Sequence, residues 1–92
     1  MIGISAQVSL YPLGQDDIDP AIQAVMTVLE EHGLSYEVEA MSTTVYGMDD
    51  AVWAALQEAF RRATAYGSAV MQVTASNACP LPAGRPAQDQ EP

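Results

Sequence analysis

Residues Ile4–Leu13 read I-S-A-Q-V-S-L-Y-P-L. Ile4, Ala6, Val8 and Leu10 alternate with Ser5, Gln7, Ser9 and Tyr11, the period of two that marks a strand with one apolar face. The other face is polar but uncharged. A strand that faces solvent commonly carries Lys, Glu or Arg. Serines, an amide and a phenol in a row belong instead to a surface that a ligand or another subunit covers.

The strand stops at Tyr11-Pro12, because proline removes a donor and holds the preceding residue extended. After the loop Gly14-Gln-Asp-Asp, Asp19-Pro20 opens a first helix, with Asp19 expected as N-cap and Pro20 at the first helical position. Ile22, Val25, Met26 and Leu29 form its apolar stripe. His32-Gly33 ends it, with Gly33 as the left-handed cap. Residues 34–41 alternate again, with Leu34, Tyr36, Val38 and Ala40 on one side and Ser35, Glu37, Glu39 and Met41 on the other. Residues 42–46 make a third strand ending at Gly47, after a very tight connection. Asp49-Asp50 are expected to cap a second helix with the core stripe Val52, Trp53, Leu56, Phe60 and Ala63, which Tyr66-Gly67 stops. Residues 68–76 form the last strand, with Ala69, Met71, Val73 and Ala75 opposite Gln72, Thr74 and Ser76.

The order β-α-β-β-α-β, with right-handed crossovers, predicts an α+β ferredoxin-like sandwich: a four-stranded antiparallel sheet with both helices on one face. The strands' apolar faces are expected to pack on Val25, Leu29, Leu56 and Phe60. The other sheet face stays bare and displays the serines, Gln7, Tyr11, Tyr46, Glu37 and Glu39. Its composition predicts stacking against a second subunit. The folded domain spans residues 1–79. Residues 80–92, P-L-P-A-G-R-P-A-Q-D-Q-E-P, hold four of the six prolines and read as a disordered or draped tail.

Ninety-two residues make one domain with a thin stability margin, since a chain this short buries only about 60–65% of its unfolded surface. Twelve acids stand against three arginines and no lysine, for a net charge of −9. That excludes the basic footprint needed by nucleic acid and anionic membranes, and disfavours highly phosphorylated ligands. A single cysteine forbids an internal disulfide and is compatible with a reducing compartment. No run approaches the roughly 20 apolar residues of a membrane span, so the expected location is the cytoplasm.

Three segments stand out together: S-A-Q-V-S-L-Y-P-L at 5–13, M-S-T-T-V-Y-G at 41–47 and V-T-A-S-N-A-C-P at 73–80. In this order, on this frame, the chain resembles the YkoF-like thiamine/hydroxymethylpyrimidine-binding family and its single-domain relatives over residues 2–80. The resemblance implies a small-molecule site for thiamine or its hydroxymethylpyrimidine moiety, without catalysis, and assembly through the sheet face as dimers or dimers of dimers. Carried over by position, the ligand-binding candidates are Gln7, Ser9 and Tyr11, then Ser42 and Thr43, then Ser76 and Asn77. Family members with two tandem domains pair their repeats within one chain. A site between domains must here be built by a homo-oligomer.

The residues agree with that ligand class on their own chemistry. Hydroxyls, an amide and a phenol match the ring-nitrogen acceptors and amine donor of an aminopyrimidine. Glu37 and Glu39 suit the fixed positive charge of a thiazolium, and Tyr11 or Tyr46 would add cation–π attraction of roughly 0.5–2 kcal/mol. With no cation expected on that face, free thiamine fits better than its diphosphate.

Other chemistries find little support. The aspartates near the helix starts are explained by capping and solvation rather than by a metal. The lone His32 has no second ligand nearby, and Cys79 has no activating base in view. Met26 and Met71 read as core, and Trp53 as helix packing. No cofactor is expected. The alternative is an ACT-like regulatory or assembly module binding another small molecule, because fold does not fix function.

Overall fold

The computed structural model describes residues 2–39 and 42–78. The elements are β1 (Gly3–Pro12), α1 (Asp19–Glu31), β2 (Ser35–Val38), β3 (Thr43–Met48), α2 (Asp49–Ala63), a 3-10 turn over Thr64–Tyr66, and β4 (Ala69–Ser76). The four strands form one antiparallel sheet in the order β2-β3-β1-β4. With both helices on one face, this is the ferredoxin-like sandwich expected from the pattern. Positions 40 and 41, Cys79 and the Pro-rich tail lie outside the described residues.

Pairing sets the two faces of the sheet. Ala6 lies opposite Val45 and Ala75, and Val8 opposite Thr43 and Val73, so these residues face the helices. Ile4, Ala6, Val8 and Val45 join Val25, Val28, Leu29, Val52 and Leu56 in the buried core. Burying each large aliphatic side chain contributes about 1.5–3 kcal/mol.

The helices differ in detail from expectation, each time for a local reason. The N-cap of α1 is Ile18 rather than Asp19; Asp19 stands in the first turn, and its N–H donates to Asp17 Oδ1 at 3.0 Å. The N-cap of α2 is Met48, with neither Asp49 nor Asp50 capping. Asp49 ties the helix start to the sheet instead: its N–H donates to the Ile2 carbonyl at 2.8 Å, and its Oδ1 accepts from Ile2 N–H at 3.2 Å. That tether carries β3 through Gly47 to Met48, beyond the end expected at Gly47. At the other end of α1, His32 is the C-cap and Gly33 takes φ +69°, as expected. The amides of Gly33 and Leu34 donate to the carbonyls of Glu30 and Leu29, closing a Schellman motif.

The core stripe of α2 needs a correction. The residues facing the sheet are Val52, Ala55, Leu56, Ala59 and Ala63, while Trp53 is 49% exposed and Phe60 38% exposed. Three alanines let the helix approach closely, and one helix face cannot also hold Trp53 and Phe60. On α1 the fully buried residues are Ala21, Val25, Val28 and Leu29, with Ile22 and Met26 only half-buried.

Candidate functional site

The open sheet face is built of rows read across the strands. Ser35, Tyr46, Ser5 and Ser76 form one row, and Glu37, Thr44, Gln7 and Thr74 the next. Ser9 and Gln72 follow, then Tyr11 and Val70. The rows interlock. Tyr46, only 7% exposed, donates its hydroxyl to Glu37 Oε1 at 3.2 Å. Gln7 Nε2 donates to Ser42 Oγ at 3.2 Å, which puts Ser42 on this face beside Ser9.

The sheet also has a second, more enclosed space at one end. A cleft of about 240 Å³ opens between α1 and the sheet where β1, β2 and β3 approach the β2–β3 connection. Its floor is apolar, made of Val8, Leu10, Ile22, Val25, Met26, Leu29, Val38 and Leu56. Ser9, Glu39, Ser42 and Thr43 supply its polar lining. Glu39 N–H donates to the Ser42 carbonyl at 2.7 Å, so the two rim residues are held together. An apolar hollow with a few polar groups at the mouth is the usual form of a small-molecule site.

The expected site residues divide between these places. Ser9, Ser42 and Thr43 line the cleft, and Gln7 reaches it through Ser42. Thr43 is 8% exposed and, paired with Val8 and Val38, belongs to the helix side of the sheet. Tyr11 and Glu37 stand on the open face near the cleft. Ser76 pairs with Ser5, four residues back along β1 from Ser9, so Ser76 and the following Asn77 sit about 13 Å from the cleft. Ile22, Met26 and Val38 line the cleft although pattern reading gave them to the core, and Glu39, expected beside the thiazolium, lies at its rim.

The ion pairs found among the described residues lie outside the cleft lining. Arg62 bridges Glu31 of α1, at 2.9 Å, and Glu58, whose other oxygen lies 3.2 Å from His32 Nε2. Hydrogen bonds from His32 and then Arg62 hold the Glu58 carboxyl below its ordinary value. Tyr36 donates to Glu30 Oε2 at 2.8 Å, and that bond to a carboxylate raises the phenol above its ordinary range. These groups lock α1 to α2 and β2. No group of three or more metal-ligating side chains gathers among the described residues. No helix there is long and apolar enough to cross a membrane.

Comparison with known proteins decides the family. The model of the thiamine-binding protein family matches residues 6–75. The chain belongs to this family. The match runs from within β1 through nearly all of β4, and takes in every lining residue of the cleft. Solved structures share the fold. A hypothetical protein of Methanocaldococcus jannascii superposes with a TM-score of 0.75 at 24% identity, covering 83% of this chain and 80% of its own. A domain of unknown function from Bacillus cereus gives 0.74 at 17% identity, covering 89% and 84%. A Thermotoga maritima protein provisionally assigned to thiamine biosynthesis or salvage gives 0.71 at 20% identity, covering 79% and 81%. No curated protein matches the chain.

Proposed function

We propose that this protein binds thiamine or its hydroxymethylpyrimidine moiety and releases it unchanged, in cytoplasmic salvage, transport or buffering. Membership of the thiamine-binding family over residues 6–75 is the observation that carries the reading. The cleft supplies a place for it. At about 240 Å³ it is below the roughly 300–1,000 Å³ of sites for drug-sized ligands, and suits one substituted ring rather than two.

In this reading the pyrimidine ring enters between Ile22 and Met26 of α1 and Val8 and Leu10 of β1. Its polar edge meets the Thr43 hydroxyl and the backbone of Ser9 and Ser42 at the rim, with Gln7 holding Ser42 in position from the open face. The thiazolium stays at the mouth, where Glu39, with Glu37 nearby on the open face, offers negative charge. Tyr11 lies within the same neighbourhood. Ser76 and Asn77 reach a ligand only across a stacked sheet face, in a homo-oligomer.

Isothermal titration with thiamine, hydroxymethylpyrimidine and thiamine diphosphate tests the function. Saturable binding of the first two, near one per chain and micromolar or tighter, is expected. Added salt should weaken thiamine more than the neutral pyrimidine, because only thiamine carries a fixed charge. No binding of any of the three would remove this reading in favour of an ACT-like module for another ligand.

A further inference from the structure

Trp53 and Phe60 are the exposed aromatics of α2. At about 3.6 residues per turn they share one side of the helix with Gln57 and Thr64. Glu58 and Arg62, which pair with His32 and Glu31 at the end of α1, occupy the opposite side. The aromatic flank therefore faces away from α1. With α1 packed on β2 and α2 on β3 and β1, that direction is toward β4.

The last strand delivers the chain to this flank. Ser76 of β4 pairs with Ser5, and Gly3 pairs with Met48, the residue before α2. Continued by two residues, that register brings position 78 level with Gly3, at the end of the molecule where α2 begins. The sequence that follows, residues 79–92, is C-P-L-P-A-G-R-P-A-Q-D-Q-E-P. Its prolines favour an extended polyproline II backbone, which advances about 3.1 Å per residue. Residues 79–85 then reach about 19 Å. Two strand spacings, roughly 10 Å, and the step from the sheet up to the helix separate β4 from the start of α2, within that reach.

Charge sets the direction. Asp50 and Arg61 are exposed on the solvent side of the flank, roughly 16 Å apart along the helix axis. Neither makes an ion pair among the described residues. The segment from 85 carries the reverse order: Arg85 first, then Asp89 and Glu91, about 12 and 19 Å further along an extended backbone. Because the chain arrives at the Asp50 end, its cation meets the helix acid and its acids bracket the helix cation.

We infer that residues 85–91 dock along the Trp53–Phe60 flank of α2 in the same chain. Arg85 lies against Asp50, Pro86 on the face of Trp53, and Asp89 and Glu91 about Arg61, with the backbone between them crossing Phe60. Proline rings on an aromatic surface are a recurring mode of recognition for such segments. Surface ion pairs of this kind contribute little energy, so the aromatics supply the attraction and the charges fix the register. The flank is distinct from the cleft and from the open sheet face, and its occupant does not depend on the identity of the ligand.

The test is carried out on the full chain. In NMR spectra of a mixture of differently isotope-labelled copies, the Trp53 indole should show contacts to the Pro86 ring protons of its own chain. Arg85→Glu and Asp50→Arg should each abolish those contacts and shift the emission of Trp53, the single tryptophan, to the red. The charge swap Asp50→Arg/Arg85→Asp should restore both signals, which a merely structural effect of either change would not allow. Absence of the contacts in wild type, an emission unmoved by Arg85→Glu, or a swap that restores neither signal would each overturn the inference. Emission that shifts on dilution but not with Arg85→Glu would give the flank to a second copy and overturn it too. If Asp50→Arg does not fold, the wild-type contacts and Arg85→Glu decide.

Discussion

Gly47→Ala is a sharp test of how α1, α2 and the sheet are fitted together. Gly47 sits in β3 on the helix side, opposite Ile4. A Cβ there would lie 2.8 Å from Leu34 Cδ2 and 3.4 Å from Val52 Cγ2. Ordinary carbon–carbon contact is about 3.5–4.0 Å, so the first approach is too close by roughly 1 Å. Val52 is fully buried at the start of α2, whereas Leu34 is half-buried and has a flexible end. The strain should thus be relieved by turning Leu34 out of its packing. Overpacking of this kind costs about 1–3 kcal/mol. Replacing a strand glycine by alanine returns about 0.5–1 kcal/mol of backbone entropy. The net loss is on the order of 1 kcal/mol, which lowers the Tm of a domain this size by about 4–8 °C. Calorimetry on wild type, Gly47→Ala, Leu34→Ala and the double variant measures it as a cycle. In the Leu34→Ala background the alanine at 47 should cost nothing. An unchanged or raised Tm for Gly47→Ala alone would refute the packing argument.

Other outcomes follow from single contacts. Ile22→Trp fills the cleft from α1, so titration should show thiamine affinity reduced at least about tenfold while Tm stays level or rises, as cavity-filling changes commonly do. Glu37→Gln should weaken thiamine but not hydroxymethylpyrimidine, since only the former needs a counter-charge; equal weakening would remove the cation role. Glu58 is held below its ordinary value of 4.5 by His32 and Arg62, so its folded pKa is lower than its unfolded one. Its stabilisation is complete above that ordinary value and is lost as pH falls through the folded value. Thermal melts should then show Glu58→Gln less stable than wild type at neutral pH, with the gap closing in acid. A gap of constant size would contradict the linkage.

The sheet was legible because β1 and β4 alternate cleanly, and one correct face in β1 sets all the others through register. Gly33 and Pro20 likewise marked helix boundaries that backbone geometry enforces. What misled was size. Trp53 and Phe60 fit a helical period and are large and apolar, yet Ala55, Ala59 and Ala63 take the contact face because the helix lies close to the sheet. Asp19 and Asp49 read as caps from composition, but their neighbours in space, Asp17 and Ile2, claim their polar atoms. The cleft had no local signature at all. Ile22 and Met26 follow the same period as Val25 and Leu29, and only the separation of α1 from the end of the sheet turns them from core into lining.

The central claim is that the ligand ring lies in the cleft under α1. Methyl and amide NMR spectra recorded through a thiamine titration test it most directly. Ring-current shifts are expected at the Val8, Leu10, Ile22 and Met26 side chains, with amide shifts at Ser9, Glu39 and Ser42. Shifts confined to Gln72, Thr74, Ser76 and Asn77, with the Ile22 and Met26 methyls unmoved, would contradict it.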